Sequence, residues 1–150
     1  MKISEQINND LKDAMRNKDK IALEALRAAK TAFTLTRTQT GSSHVVSDAD
    51  ELKIIQKLVK QRKESAEIYK SQSRTDLSDK EIAEAEVLEK YLPEKISPKE
   101  LKRILEKIIE KAGASSPADM GKVMGIATKE LAGKADGKEI AAIVRSILTG

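Results

Sequence analysis

The residues best equipped for chemistry are few, and each has a plainer competing use. Glu84, Glu86 and Glu89 could serve as a general acid and base, but a carboxyl holds a proton near neutral pH only when burial or an enforced like charge raises its pKa. These three sit in a run of charge with few apolar neighbours, so a solvated helix face is expected. His44 is the only imidazole, and there is no cysteine. That leaves no thiolate nucleophile, disulfide, iron–sulfur cluster or cysteine zinc site, and at most one histidine for a metal or a triad. His44 falls in the polar stretch 38–47, where a solvated loop residue is expected; no catalytic residue, metal or cofactor is anticipated. Gly121-Lys122 and Gly133-Lys134 suggest a phosphate loop only superficially, because neither lysine is followed by Ser or Thr and the required earlier glycine is missing.

The glycines themselves are more informative. Gly121 and Gly125 lie one turn apart in a segment that otherwise reads as helix, and each costs about 1 kcal/mol relative to Ala. A helix packed against the bare backbone is the first compensation to expect, and the approach of a ligand backbone is the second. Around them Lys122, Lys129, Lys134 and Lys138 outnumber Asp119, Glu130 and Asp136, and Asp119 and Asp136 hold cap positions. The net charge of +4 is unevenly shared, with 18 basic against 17 acidic residues through Ile96 and 10 against 7 after it. Basic charge beside helix N-termini and glycine turns suits phosphate. Composition alone favours the plainer alternative, a soluble lysine surface.

The elements that must carry these residues follow from the composition. A chain of 150 residues and 16.5 kDa buries roughly 70% of its unfolded surface. Its 39% of hydrophobic residues include only Phe33, Tyr69 and Tyr91 as aromatics, so the core is built from Ala, Leu, Ile, Val and Met, which favours an all-α fold. Ile3, Ile7, Leu11, Ala14 and Met15 form a first helical stripe. A second helix over 20–37, capped by Asp19, carries Ala22, Leu26, Ala29 and Phe33 on a broad face. The segment 38–43 has the composition of a mobile loop. Ser47 with Asp50 opens a long helix bearing Leu52, Ile55, Val59, Arg62, Ala66 and Tyr69; Ser78 with Glu81 opens a fourth with Ile82, Ala85, Leu88 and Leu92, stopped by Pro93. Residues 53–74 hold seven Lys/Arg and two acids, whereas 76–89 hold six acids and one lysine. An antiparallel pairing of the two is expected, with the charges setting register more than stability.

Between Leu92 and Ser97 lies the expected boundary. Ser97 as N-cap, Pro98 at N1, Glu100 at N3 and Gly113 past the end define a helix carrying Leu101, Ile104, Leu105, Ile108 and Ala112. Ser116, Pro117 and Asp119 start another with Met120, Val123, Met124, Ala127 and Leu131, and Asp136 with Glu139 starts the last, with Ile140, Ile143, Val144 and Ile147. The expected architecture is an N-terminal domain of about four helices over 1–94 and a three-helix bundle over 97–150. No apolar run approaches the roughly 20 residues of a membrane span, and the start lacks a secretory signal, so a cytoplasmic protein is expected.

Four motifs then occur in order: Lys60-Gln61-Arg62-Lys63-Glu64-Ser65, Tyr91-Leu92-Pro93, Ala118-Asp119-Met120-Gly121-Lys122-Val123-Met124 and Gly133-Lys134-Ala135-Asp136-Gly137. Over essentially its whole length the chain resembles the GatB/YqeY family, in particular its stand-alone YqeY-like members. The resemblance implies an N-terminal helical domain with a small C-terminal three-helix domain. It also implies kinship with the tail of the B subunit of the glutamine-dependent amidotransferase, which converts Glu-tRNA(Gln) or Asp-tRNA(Asn) to the amidated form. In that enzyme the tail contacts tRNA, and the catalysis belongs to parts that cannot fit in 150 residues. A family label of carbon–nitrogen ligase with glutamine as amido-N-donor therefore need not carry activity.

The leading expectation is a non-catalytic tRNA-binding or tRNA-associated accessory protein. Lys122, Lys129, Lys134 and Lys138 would neutralise phosphates while Gly121, Gly133 and Gly137 let the backbone come close, and scarce aromatics favour shape recognition over base stacking. One alternative is an adaptor for an amidotransferase or aminoacyl-tRNA synthetase, docking through the Gly121/Gly125 face or the basic third helix. Another is an amidase-like or ligase-like activity on aminoacyl-tRNA, for which no nucleophile with a positioned base is evident.

Overall fold

The computed structural model describes residues 2–39 and 46–150, and every regular element among them is helical. His44 and most of the expected 38–43 loop lie outside the described residues; Thr38 and Gln39 continue the second helix. The chain divides into two compact units, Met1–Leu92 and Pro93–Gly150. The first holds α1 (Ile3–Arg16), α2 (Lys20–Gln39), α3 (Asp48–Ser71) and α4 (Thr75–Glu89). The second holds α5 (Pro98–Ala112), a single 3-10 turn (Pro117–Asp119), α6 (Met120–Glu130) and α7 (Gly137–Thr149).

In the first unit local chemistry sets the helix starts. Asp19 accepts from the Ala22 N–H at 3.1 Å, and the Ser47 hydroxyl accepts from the Asp50 N–H at 3.1 Å, each satisfying a donor the helix itself leaves open. Ile7, Leu11 and Ala14 of α1 pack with Ala25, Leu26, Ala29 and Phe33 of α2, Ile55 and Val59 of α3, and Ala85 and Leu88 of α4. Met15, expected on the α1 stripe, stays exposed, as does Ile21 at the start of α2. The most extensive helix contact joins α3 to α4, and Lys63 pairs with Glu89 across it.

Three expectations about α4 fail. The helix begins at Thr75, one turn before Ser78, which is an interior residue 3% exposed and not a cap. Ile82 is 43% exposed, and Glu84 turns inward at 6%. Because α4 packs against both α2 and α3, its buried arc is centred between two neighbours, and small Ser78 and Ala85 allow their close approach.

The second unit follows its sequence signals closely. Ser97 accepts from the Glu100 N–H at 3.3 Å with Pro98 in the first turn, and Gly113 closes α5 in the left-handed conformation with φ 67°. Asp136 caps α7 by accepting from the Lys138 N–H at 3.2 Å. Ser116 starts only the 3-10 turn, after which the chain enters α6. Leu101, Leu105, Ile108 and Ile109 of α5, Val123 and Ala127 of α6, and Ile140, Val144 and Leu148 of α7 form the core. Fully burying each Leu or Ile contributes about 1.5–3 kcal/mol.

Candidate nucleic-acid interface

The residues singled out for phosphate binding are strung along α6 and the turn after it. Gly121 and Lys122 occupy the first turn of α6, Gly125 its middle and Lys129 its last turn, all exposed. Lys122 and Lys129 are two turns apart and so share a face, separated by about 10 Å along the axis. Lys134 follows in the turn after α6 and Lys138 lies in the first turn of α7, also exposed. The set therefore runs along the chain from Lys122 at one end of α6 to Lys134 and Lys138 beyond the other.

Each member has a distinct local setting. Lys122 donates from Nζ to the Ala112 carbonyl oxygen at 3.1 Å, so its cation sits at the C-terminus of α5, where the helix dipole favours positive charge. Asp119 Oδ2 accepts from the Ser115 and Ser116 N–H groups at 3.0 and 3.3 Å. Those contacts, Ser115 first, hold its carboxyl below the usual range. Lys134 anchors by its backbone, its carbonyl accepting from the Ile96 N–H at 3.2 Å, which leaves the side chain to point from an exposed position.

The glycines separate into two kinds. Gly133 is buried with φ 76°, so the turn itself requires glycine there. A Cβ at Gly121, Gly125 or Gly137 would meet nothing within 4 Å. The expected helix packed against Gly121 and Gly125 is therefore absent among the described residues, and their bare backbone faces open space beside Lys122 and Lys129.

The carboxylates raised as an acid–base possibility also part company. Glu86 is exposed and Glu89 pairs with Lys63, but Glu84 is buried beside Glu24, Lys80 and Arg62, against the expectation of a solvated face. Lys80 Nζ lies 3.1 Å from Glu24 Oε2 and holds Glu24 below the usual carboxylate range. Burial pushes Glu84 up; the Arg62 charge opposes this and the hydrogen bond to Glu24 adds to it. The Arg62 Nε is buried without a hydrogen-bond partner. Sequence reasoning missed this group, although Arg62 on the apolar stripe of α3 was a signal that a counter-charge lies inside. It also missed Glu51, 3% exposed, whose Oε1 accepts from the Ser4 N–H at 3.1 Å and so caps the start of α1 from a neighbouring helix. Tyr91 donates to Asp10, and burial pushes its phenol up. Among the described residues no group of three or more His, Cys, Asp or Glu is arranged to hold a metal, and no helix is long and apolar enough to cross a membrane.

Comparison with known proteins finds a matching family and similar relatives. The family described as Yqey-like protein matches residues 4–148. A Pyrenophora tritici-repentis protein named altered inheritance of mitochondria protein 41, mitochondrial, is 30% identical over 132 residues, 87% of this chain and 71% of its own length. An uncharacterized protein of Schizosaccharomyces pombe is 29% identical over 91 residues, 61% of this chain and 72% of its own length.

Proposed function

The chain belongs to the YqeY-like family, and from that premise we propose that it is a non-catalytic, tRNA-associated accessory protein related to the tail of the glutamine-dependent amidotransferase. The observation that carries this reading is the open backbone at Gly121 and Gly125, flanked on one exposed face by Lys122 and Lys129. A helix gives up about 1 kcal/mol for an interior glycine such as Gly125, and nothing inside the unit recovers it there. A phosphodiester backbone does, by lying close to α6 while the lysines neutralise successive phosphates. On this reading the exposed Lys134 and Lys138 and the open Gly137, which follow α6 in the chain, would continue the contact past the end of the helix. All three aromatics lie in the other unit, which suits recognition by shape and charge without base stacking. Cytoplasm is the compartment this reading carries, and the mitochondrial designation of one relative names the alternative.

Mobility shift of purified tRNA by the full chain across a potassium chloride series tests the reading. Four phosphate contacts give a log–log slope of about 3 to 4. Absence of a shift at low salt, or a shift indifferent to salt, overturns it.

A further inference from the structure

The unit Pro93–Gly150 carries a second surface that the tRNA reading leaves unused. A groove of about 360 Å3 runs between α5 and α6, lined by Ile104, Ile108, Ala112 and Ile126, with Lys107 and Lys111 on the α5 side and Glu130 on the α6 side. Ile104, Ala112 and Ile126 pack against the core yet are only partly buried, so aliphatic surface stays in contact with water there. Lys107 and Lys111 are exposed, one turn apart, and have no hydrogen-bond or ion-pair partner among the described residues. Elsewhere on α5, Arg103 lies 3.6 Å from Glu100. By helical spacing Glu106 and Glu110 fall on the far side of the two lysines from the groove, so the charge bordering the apolar lining on α5 is positive only.

We propose that this groove docks an acidic amphipathic helix of a partner protein. Its apolar residues, spaced at i and i+3 or i+4, would seat on Ile104, Ile108, Ala112 and Ile126, and its carboxylates would pair with Lys107 and Lys111. The spacing of the two lysines repeats the one-turn spacing of such a helix. RNA gains little from an aliphatic lining with no aromatic side chain in the unit. A volume near the lower end of the roughly 300–1,000 Å3 typical of small-molecule sites suits a few side chains of a longer ligand. A second copy would bring two pairs of lysines into one self-complementary interface, with only one Glu130 from each chain to offset them. The inference stands apart from the tRNA reading, since Lys107 and Lys111 are not part of the α6 set.

Fluorescence anisotropy of a labelled synthetic peptide tests it, using a helix with leucines at one-turn spacing flanked by glutamates, titrated with the full chain. Binding is expected, localised to α5 and α6 by amide chemical-shift changes. The double variant K107E/K111E, at two exposed positions, should weaken it about tenfold and improve binding of a matched peptide with lysines in place of glutamates. Ala112→Leu, which fills the groove without altering charge, should weaken both peptides, with helical circular dichroism retained. No binding by the unaltered chain, equal binding by K107E/K111E, shifts confined to other helices, or a dimer whose dissociation tracks Ala112→Leu would each overturn the proposal. So would loss of tRNA shift on K107E/K111E with peptide binding unchanged.

Discussion

The two units differ in whether they bury charge. In Met1–Leu92, Glu51, Ser78 and Glu84 are buried and Arg62 reaches onto the same inner face; in Pro93–Gly150 every buried residue is aliphatic apart from Gly133. The first unit turns a few of its charges inward or across helix contacts, although Lys53, Lys57 and Lys70 of α3 stay exposed. Glu51 caps α1 from α3, Lys63 pairs with Glu89, and Lys80 pairs with Glu24. The second unit closes on apolar packing and local caps, which leaves most of its lysines without an internal task. Position in sequence does not separate these uses, since both units are rich in Lys and Glu. The presence of an inward counter-charge does.

The comparison breaks most readily at Arg62. Replacing it with Met leaves Glu84 buried without its cation and should cost about 1–3 kcal/mol in urea unfolding, whereas adding Glu84→Leu should recover most of that loss, because a well-packed apolar pair removes both desolvation costs. Recovery failing in the double variant would show that the pair does more than set register. The pH dependence has a definite sign. Burial raises the folded Glu84 carboxyl above the ordinary value of 4.5, so the unfolded chain ionises first and folding stability falls as pH rises from that value through the raised one. E84Q does not titrate there, and its advantage over the unaltered chain should grow across that window and then level off.

A smaller effect of opposite sign is expected in the second unit. Gly125→Ala meets nothing within 4 Å, so it should stabilise α6 by about 0.5–1 kcal/mol in thermal unfolding while weakening tRNA binding. A variant that is both more stable and as good a binder would mean the bare backbone serves no ligand. The smallest effect belongs to Asp119. Its carboxyl is held below 3.8 by the Ser115 and Ser116 N–H groups, so its contribution is present above 3.8 and lost as pH falls through the lowered value. Asp119→Asn should flatten that acid limb, read as helical content against pH.

Much of this was legible from the residues because it is local. Asp19, Ser47, Ser97, Gly113 and Asp136 each act within one turn of their own position, and their geometry matches the signals. The misreadings share a different cause. Ser78, Ile82 and Glu84 are decided by α4 lying against two helices at once, which no stripe within α4 encodes. Gly121 and Gly125 suggested a packed helix because spacing reports a gap in side chains without reporting what fills it. Spacing along the chain singled out the candidate lysines, but the tether of Lys122 to Ala112 depends on where α5 ends and no local signal carries it.

The most direct test removes equal charge from the two units. K129A/K134A/K138A and K53A/K57A/K70A each delete three exposed lysines, the second set from α3, and neither includes the Lys122 cap. In a salt series with purified tRNA the first variant should bind weakly and lose about three units of log–log slope, about one per phosphate contact, while the second keeps nearly the affinity and slope of the unaltered chain. Equal loss in both, or a larger loss from α3, would contradict the assignment of the tRNA surface to the second unit.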